Sequence, residues 1–137
     1  MRLRFALLLA VSVVAAAAAP SYAHHSFNAE YDAAKPVTIK GTVTRIEWTN
    51  PHSHIYLDVK DEHGATTTWK FELAGPRALA QLGWKPTSMH VGDEVIVEGA
   101  MAKDGSSSGN AREVTFANGQ RVSAGSSGGD VAPHPQP

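Results

Sequence analysis

Apolar residues recur at every second position in five separate segments between Val37 and Phe116, and that period belongs to β-strands with one buried face. In VTIKGTVTRIEW, residues 37 to 48, Val37, Ile39 and Val43 share one phase while Ile46 and Trp48 take the other. A switch of phase inside one strand predicts a bulge or a sharp bend. After the Asn50-Pro51 break, Ser53, Ile55, Leu57 and Val59 share one face of a second strand, and His52, His54, Tyr56 and Asp58 share the other. Asp61-Glu62-His63-Gly64 reads as a hairpin loop, and residues 66 to 73 then direct Trp69, Phe71 and Leu73 inward. These three strands are expected to form a meander.

The segment from Gly75 to Gly83 has Pro76 at a helix start, Leu79 and Leu82 three apart, and glycine at the stop. It predicts a helix of about two turns. A turn at Val91-Gly92-Asp93 leads to a fourth strand over 94 to 99 with Val95 and Val97 inward, and a polar loop over 103 to 110 leads to a fifth over 111 to 116. The Asn118-Gly119 hairpin signal introduces a short last strand. Three strands, a helix, then two or three strands is the order of a small all-β, OB-like barrel, with a β-sandwich as the alternative the same pattern permits. The expected organisation is a leader over 1–23, a lead-in over 24–36, the barrel over 37–124 and a disordered Gly/Ser/Pro tail over 125–137.

The leader is read from Arg2 and Arg4, the apolar run from Phe5 to Ala19, and the small residues Ser21 and Ala23 at a cleavage position. The run is short of the roughly 20 residues that cross a bilayer. The expectation is therefore an exported chain cut after Ala23 and left in the periplasm without stable membrane insertion. No cysteine occurs among the 137 residues, so neither disulfides nor thiolate metal sites support the fold. Loss of Arg2 and Arg4 takes the formal charge from −1 to −3, which argues against nucleic acid as a partner.

With HHSF at 24–27, EWTNPH at 47–52, AGPRALAQLGW at 74–84, VGDEVIVEG at 91–99 and AREVTFANG at 111–119, the chain resembles a bacterial exported family of unknown function, numbered 6152. The resemblance covers roughly residues 24 to 125 and implies export and a single domain. Where relatives in that family usually carry an apolar or aromatic residue two positions after the NPH histidine, this chain has His54, so the resemblance assigns His54 no family-wide role.

Cleavage after Ala23 makes His24 the first residue, and its amine and ring Nδ1 can then chelate one ion from a single residue. Reference pKa values of about 7.7–8.0 for the amine and about 6.5 for imidazole let both serve as neutral donors once a metal competes for the proton. His25, His52 and His54 are the candidates to complete this histidine brace. An all-nitrogen site suits copper(II) first and zinc second. His52 and His54, two apart on a strand, stand about 6.5–7 Å apart at Cα, close enough for their rings to reach one ion. The competing reading leaves His24 and His25 solvated, has His52 bracing the Asn50-Pro51 turn, and makes His54 an ordinary exposed strand residue.

Trp69 and Trp84 read as packing residues, while Trp48 stands two positions before the NPH segment and is expected to border the histidines. Glu30, Asp32, Asp58 and Glu72 are scattered, with no pair placed as a general acid and base, and no catalytic residue is specified. The alternative to metal binding is a metal-free module that uses the outer face of the second and third strands, with Tyr56, Thr68, Lys70 and Glu72, for a protein partner or small ligand. A copper oxidoreductase ranks last, since no substrate groove is specified.

Overall fold

The computed structural model of the chain describes residues 27–125. The leader, His24, His25 and residues 126–137 of the tail lie outside them. The chain starts with one helical turn, α1 (Phe27–Glu30), and passes directly into β1 (Tyr31–Glu47). This strand starts six residues before the expected Val37. The segment Asp32-Ala33-Ala34-Lys35 carries no alternating pattern, and what holds it is one aromatic side chain: Tyr31 is buried with Ala100 and Ala102, and Phe27 packs against them. A register shift between Asp32 and Pro36 takes up the residues that do not alternate.

β1 serves two neighbours in turn. Its first part, from Tyr31 to Thr42, pairs antiparallel with β4 (Glu94–Ala102), and its second part, from Thr42 to Glu47, pairs antiparallel with β2 (Ser53–Lys60). At the changeover Gly41 allows a close crossing, because a Cβ there would stand 2.9 Å from the carbonyl oxygen of Asp58. The expected bulge lies at Thr44, between Val43 paired with Leu57 and Arg45 paired with Tyr56. It turns Ile46 to the inner face opposite Ile55, so both apolar phases of the first strand reach the same core.

β2 pairs in full with β3 (Thr66–Leu73), completing the expected meander. The helix α2 (Pro76–Gln81), with proline in its first turn, presents Leu79 to the core. β5 (Ser108–Phe116) then pairs antiparallel with β4, and β6 (Arg121–Ser123) adds to its far end. Three parallel pairs, Lys70 with Ser108, Phe71 with Gly109 and Glu72 with Asn110, join β3 to β5. The ring β1-β2-β3-β5-β4-β1 is thereby closed. Its strand order, with a helix between the third and fourth strands, is the one expected of an OB-like barrel, and continuous pairing round the ring replaces the two separate sheets of a sandwich.

The residues that close the ring were expected to be loop. Ser108, Gly109 and Asn110 have little strand preference, but the position needs a close approach rather than propensity. A Cβ on Gly109 would stand 2.7 Å from the Ala100 carbonyl oxygen and 2.9 Å from the Phe71 ring. Inside, Val43, Ile55, Leu57, Phe71, Leu73, Val95, Val97 and Val114 are all but inaccessible. Trp84 closes one side of this core, donating from Nε1 to the Ser123 carbonyl at 2.7 Å and meeting Trp48 edge-on at 5.9 Å. Trp69 stacks on Phe71 at 5.8 Å. All three tryptophans are packing residues, Trp48 included. No helix among the described residues is long and apolar enough to cross a membrane.

Candidate functional site

The period of two that buries Ile55, Leu57 and Phe71 necessarily turns His54, Tyr56, Lys70 and Glu72 to the outside of the barrel. Pairing then decides which of them meet. His54 is opposite Glu47 on β1 and opposite Glu72 on β3, and Tyr56 is opposite Arg45 and Lys70. His52 stands just before β2, after a cis Asn50-Pro51 peptide, in a turn closed by the Thr49 hydroxyl donating to the His52 carbonyl at 3.0 Å. The bond that closes this turn is accepted by the His52 carbonyl.

Each of the two imidazoles has its Nδ1 beside a carboxylate. His52 Nδ1 lies 3.2 Å from Glu72 Oε1, and His54 Nδ1 lies 3.8 Å from Glu47 Oε2. The two Nδ1 atoms thus stand beside carboxylates from the two strands that flank β2, Glu72 on β3 and Glu47 on β1. A carboxylate on one nitrogen sets ring orientation and leaves the other as the donor, which is how ligating histidines are held in metal sites. Burial, followed by the charge of Lys70, lowers the His54 pKa below the ordinary imidazole value, so this ring is neutral and able to donate electrons near pH 7.

Glu72 is the centre of the arrangement. It is 9 % exposed, although it belongs to the outward phase of its strand. Besides His52, its Oε1 accepts from Asn110 Nδ2 at 3.4 Å, and its Oε2 accepts from the Tyr31 hydroxyl at 3.1 Å. Burial and the nearby Glu72 charge push the Tyr31 phenol pKa above its ordinary value, so the hydroxyl keeps its proton and remains the donor. A buried carboxylate is costly to desolvate, and these partners offset that cost. The neighbouring Glu47 is more open. Its two oxygens meet Arg45 at 3.2 Å and the Tyr56 hydroxyl at 3.2 Å, while the Arg45 guanidinium lies 3.8 Å from the centre of the Tyr56 ring.

Of the four histidines proposed as metal ligands, His52 and His54 share this face, and His24 and His25 lie outside the described residues. Among the described residues no three His, Cys, Asp or Glu side chains gather closely enough to hold a metal ion. The face assigned to a metal-free module carries its own side-chain bonds. Glu72 is taken up by Tyr31, Asn110 and His52, Thr68 donates to Asp58 at 2.7 Å, and Tyr56 donates to Glu47, while Thr68 and Lys70 are exposed. Tyr31 and Asn110 escaped sequence reasoning because one falls in the lead-in and the other in an expected loop. Only the strand register brings them to Glu72.

Comparison with known proteins adds one finding. A model of a family described as a family of unknown function (DUF6152) matches residues 10–112. No curated protein matches the chain.

Proposed function

We propose that this chain, which belongs to the family of unknown function DUF6152, is an exported binding protein that holds copper, or with lower preference zinc. The ligands are the amine and ring of His24, freed by cleavage after Ala23, and the ring of His52, with His25 or His54 assisting. The observation that carries this reading is the path from the start of the described chain to His52. Phe27 and Tyr31 are in ring contact at 5.7 Å, Tyr31 donates to Glu72 at 3.1 Å, and Glu72 lies 3.2 Å from His52. His24 precedes Phe27 by three residues, and three residues reach at most about 10 Å.

The donor chemistry fits. Two imidazoles have Nδ1 against carboxylates, one of them is kept neutral by its surroundings, and a terminal amine with its own imidazole supplies the chelating pair. Nitrogen donors in small number favour copper(II) over the other divalent ions. Either ion would supply a Lewis acid, and copper also a redox-active centre, and this chain's contribution is to hold, buffer or hand it on.

The test is a copper(II) titration of the cleaved protein, its His24 start verified by mass spectrometry, against a version with one extra N-terminal residue and against His52→Ala. One-to-one binding that both changes weaken by more than about tenfold, or about 1.4 kcal/mol, is expected. Equal or negligible binding in all three removes the proposal and leaves a metal-free binding module.

A further inference from the structure

We infer that Glu72 assembles the site: one of its oxygens sets the His52 ring, the other holds Tyr31, and docking of the chain's start is thereby coupled to the readiness of His52. This rests on the proposed metal reading for its purpose, though the coupling itself is a property of the metal-free chain.

The geometry is specific to these residues. Ala100 and Ala102, the partners of Asn110 and Tyr31 across their strands, are small, and Tyr31 is buried with them while its hydroxyl reaches Glu72 on β3. The same carboxylate faces His52 through its other oxygen, with Asn110 donating to that oxygen. A carboxylate has two oxygens on one rigid plane. Rotation that lengthens the contact to Tyr31 therefore also moves the oxygen beside His52. The start of the chain is tied to the barrel at this corner: α1 is one turn long, Phe27 packs against Tyr31, Ala100 and Ala102, the Lys103 amide donates to the Glu30 carbonyl at 2.9 Å and the Lys103 ammonium donates to the Asn28 carbonyl at 2.6 Å. Glu72 and Tyr31 are accordingly positioning residues. They act by fixing the His52 ring and α1 relative to one another.

Coupling of this kind is reciprocal. If Tyr31 docking readies His52, then an ion bound at His52 must tighten the docking, and the Lys103 amide, bonded to α1, reports it.

The experiment compares Tyr31→Phe and Glu72→Gln with the unaltered cleaved chain, first without metal and then with copper(II) alone. Tyr31→Phe keeps the ring and its packing and removes one hydroxyl, so the barrel folds. Glu72→Gln keeps the shape, but its amide cannot accept from Tyr31 and face His52 with an oxygen at the same time. Without metal, both substitutions are expected to speed hydrogen exchange at the Lys103 amide at least threefold and to shift the His52 ring resonances. With copper, both are expected to weaken binding at least threefold, and copper is expected to slow Lys103 exchange in the unaltered chain.

If Tyr31→Phe leaves the His52 resonances and Lys103 exchange unchanged, the coupling is overturned whatever the metal result. Should the unaltered chain bind no copper while both metal-free readouts move as expected, the coupling stands and the metal reading falls. Copper binding that is unaltered by Tyr31→Phe keeps the metal reading and overturns the inference.

Discussion

Phe71 and Glu72 are consecutive residues of β3 and are buried to nearly the same degree, at 0 % and 9 % exposure. They are buried by opposite means. Phe71 lies in the apolar interior with Ile55 and Leu57, where burial is favourable by itself and the exact partner matters little. Glu72 lies on the outer face, where burial of a charge is unfavourable until Tyr31, Asn110 and His52 surround it. The inner face therefore specifies that a barrel forms, and the outer face specifies which distant segments must come together on it.

That contrast is open to direct tests in guanidinium or urea unfolding. Phe71→Ala is expected to have the largest effect, about 3–5 kcal/mol of lost stability, because it leaves a cavity at the place where β3 meets β5. Gly109→Val, at the same junction, is expected to cost about 1–3 kcal/mol, since the added side chain meets Phe71 and the Ala100 carbonyl. An unchanged unfolding midpoint for Gly109→Val would show that the ring does not depend on this close approach. On the outer face, Tyr31→Phe is expected to cost about 1–2 kcal/mol through the lost bond to a buried carboxylate. A cost as large as that of Phe71→Ala would abolish the distinction between the two faces.

Ser53 sharpens the comparison from the other side. Its hydroxyl is buried on the inner face without a hydrogen-bond partner, and Ser53→Ala is expected to be neutral or to stabilise by up to about 1 kcal/mol. The smallest effect is one of pH. The folded-state pKa of His54 is lowered below 6.5, so folding excludes a proton that the unfolded chain binds. Its contribution is complete above about pH 6.5 and is lost as the pH falls through the lowered value. In metal-free protein, His54→Asn is expected to show a shallower loss of stability between pH 7 and pH 5 than the unaltered chain, and parallel curves would assign the acid sensitivity to other groups.

The inner face was readable in the residues because a period of two needs no knowledge of partners. Ile55, Leu57, Phe71, Leu73, Val95 and Val97 could be assigned from spacing alone, and the phase switch after Val43 announced the bulge at Thr44. The outer face was readable only in part. His52 and His54 could be placed on one side of a strand, but their carboxylate partners depend on which strands pair and in which register. Tyr31 is 41 residues from Glu72, and no local pattern connects them. The early start of β1 and of β5 was hidden for a related reason: Tyr31 and Gly109 are where they are because of close tertiary contacts, which override weak strand preference.

The three parallel pairs that close the ring have a consequence for the order in which the chain can become safe from itself. They join Phe71 to Gly109, so β3 must wait for a segment nearly forty residues later before that part of its margin is covered. Until then β3 and β4 each present unsatisfied amides and carbonyls on a sticky edge, next to an apolar surface that will become the core. A chain truncated before Ser108, or stalled there during synthesis, is an open sheet that invites strand-to-strand association with its copies. Cover for these strand edges is thus acquired late, with the arrival of a segment whose own sequence reads as a loop.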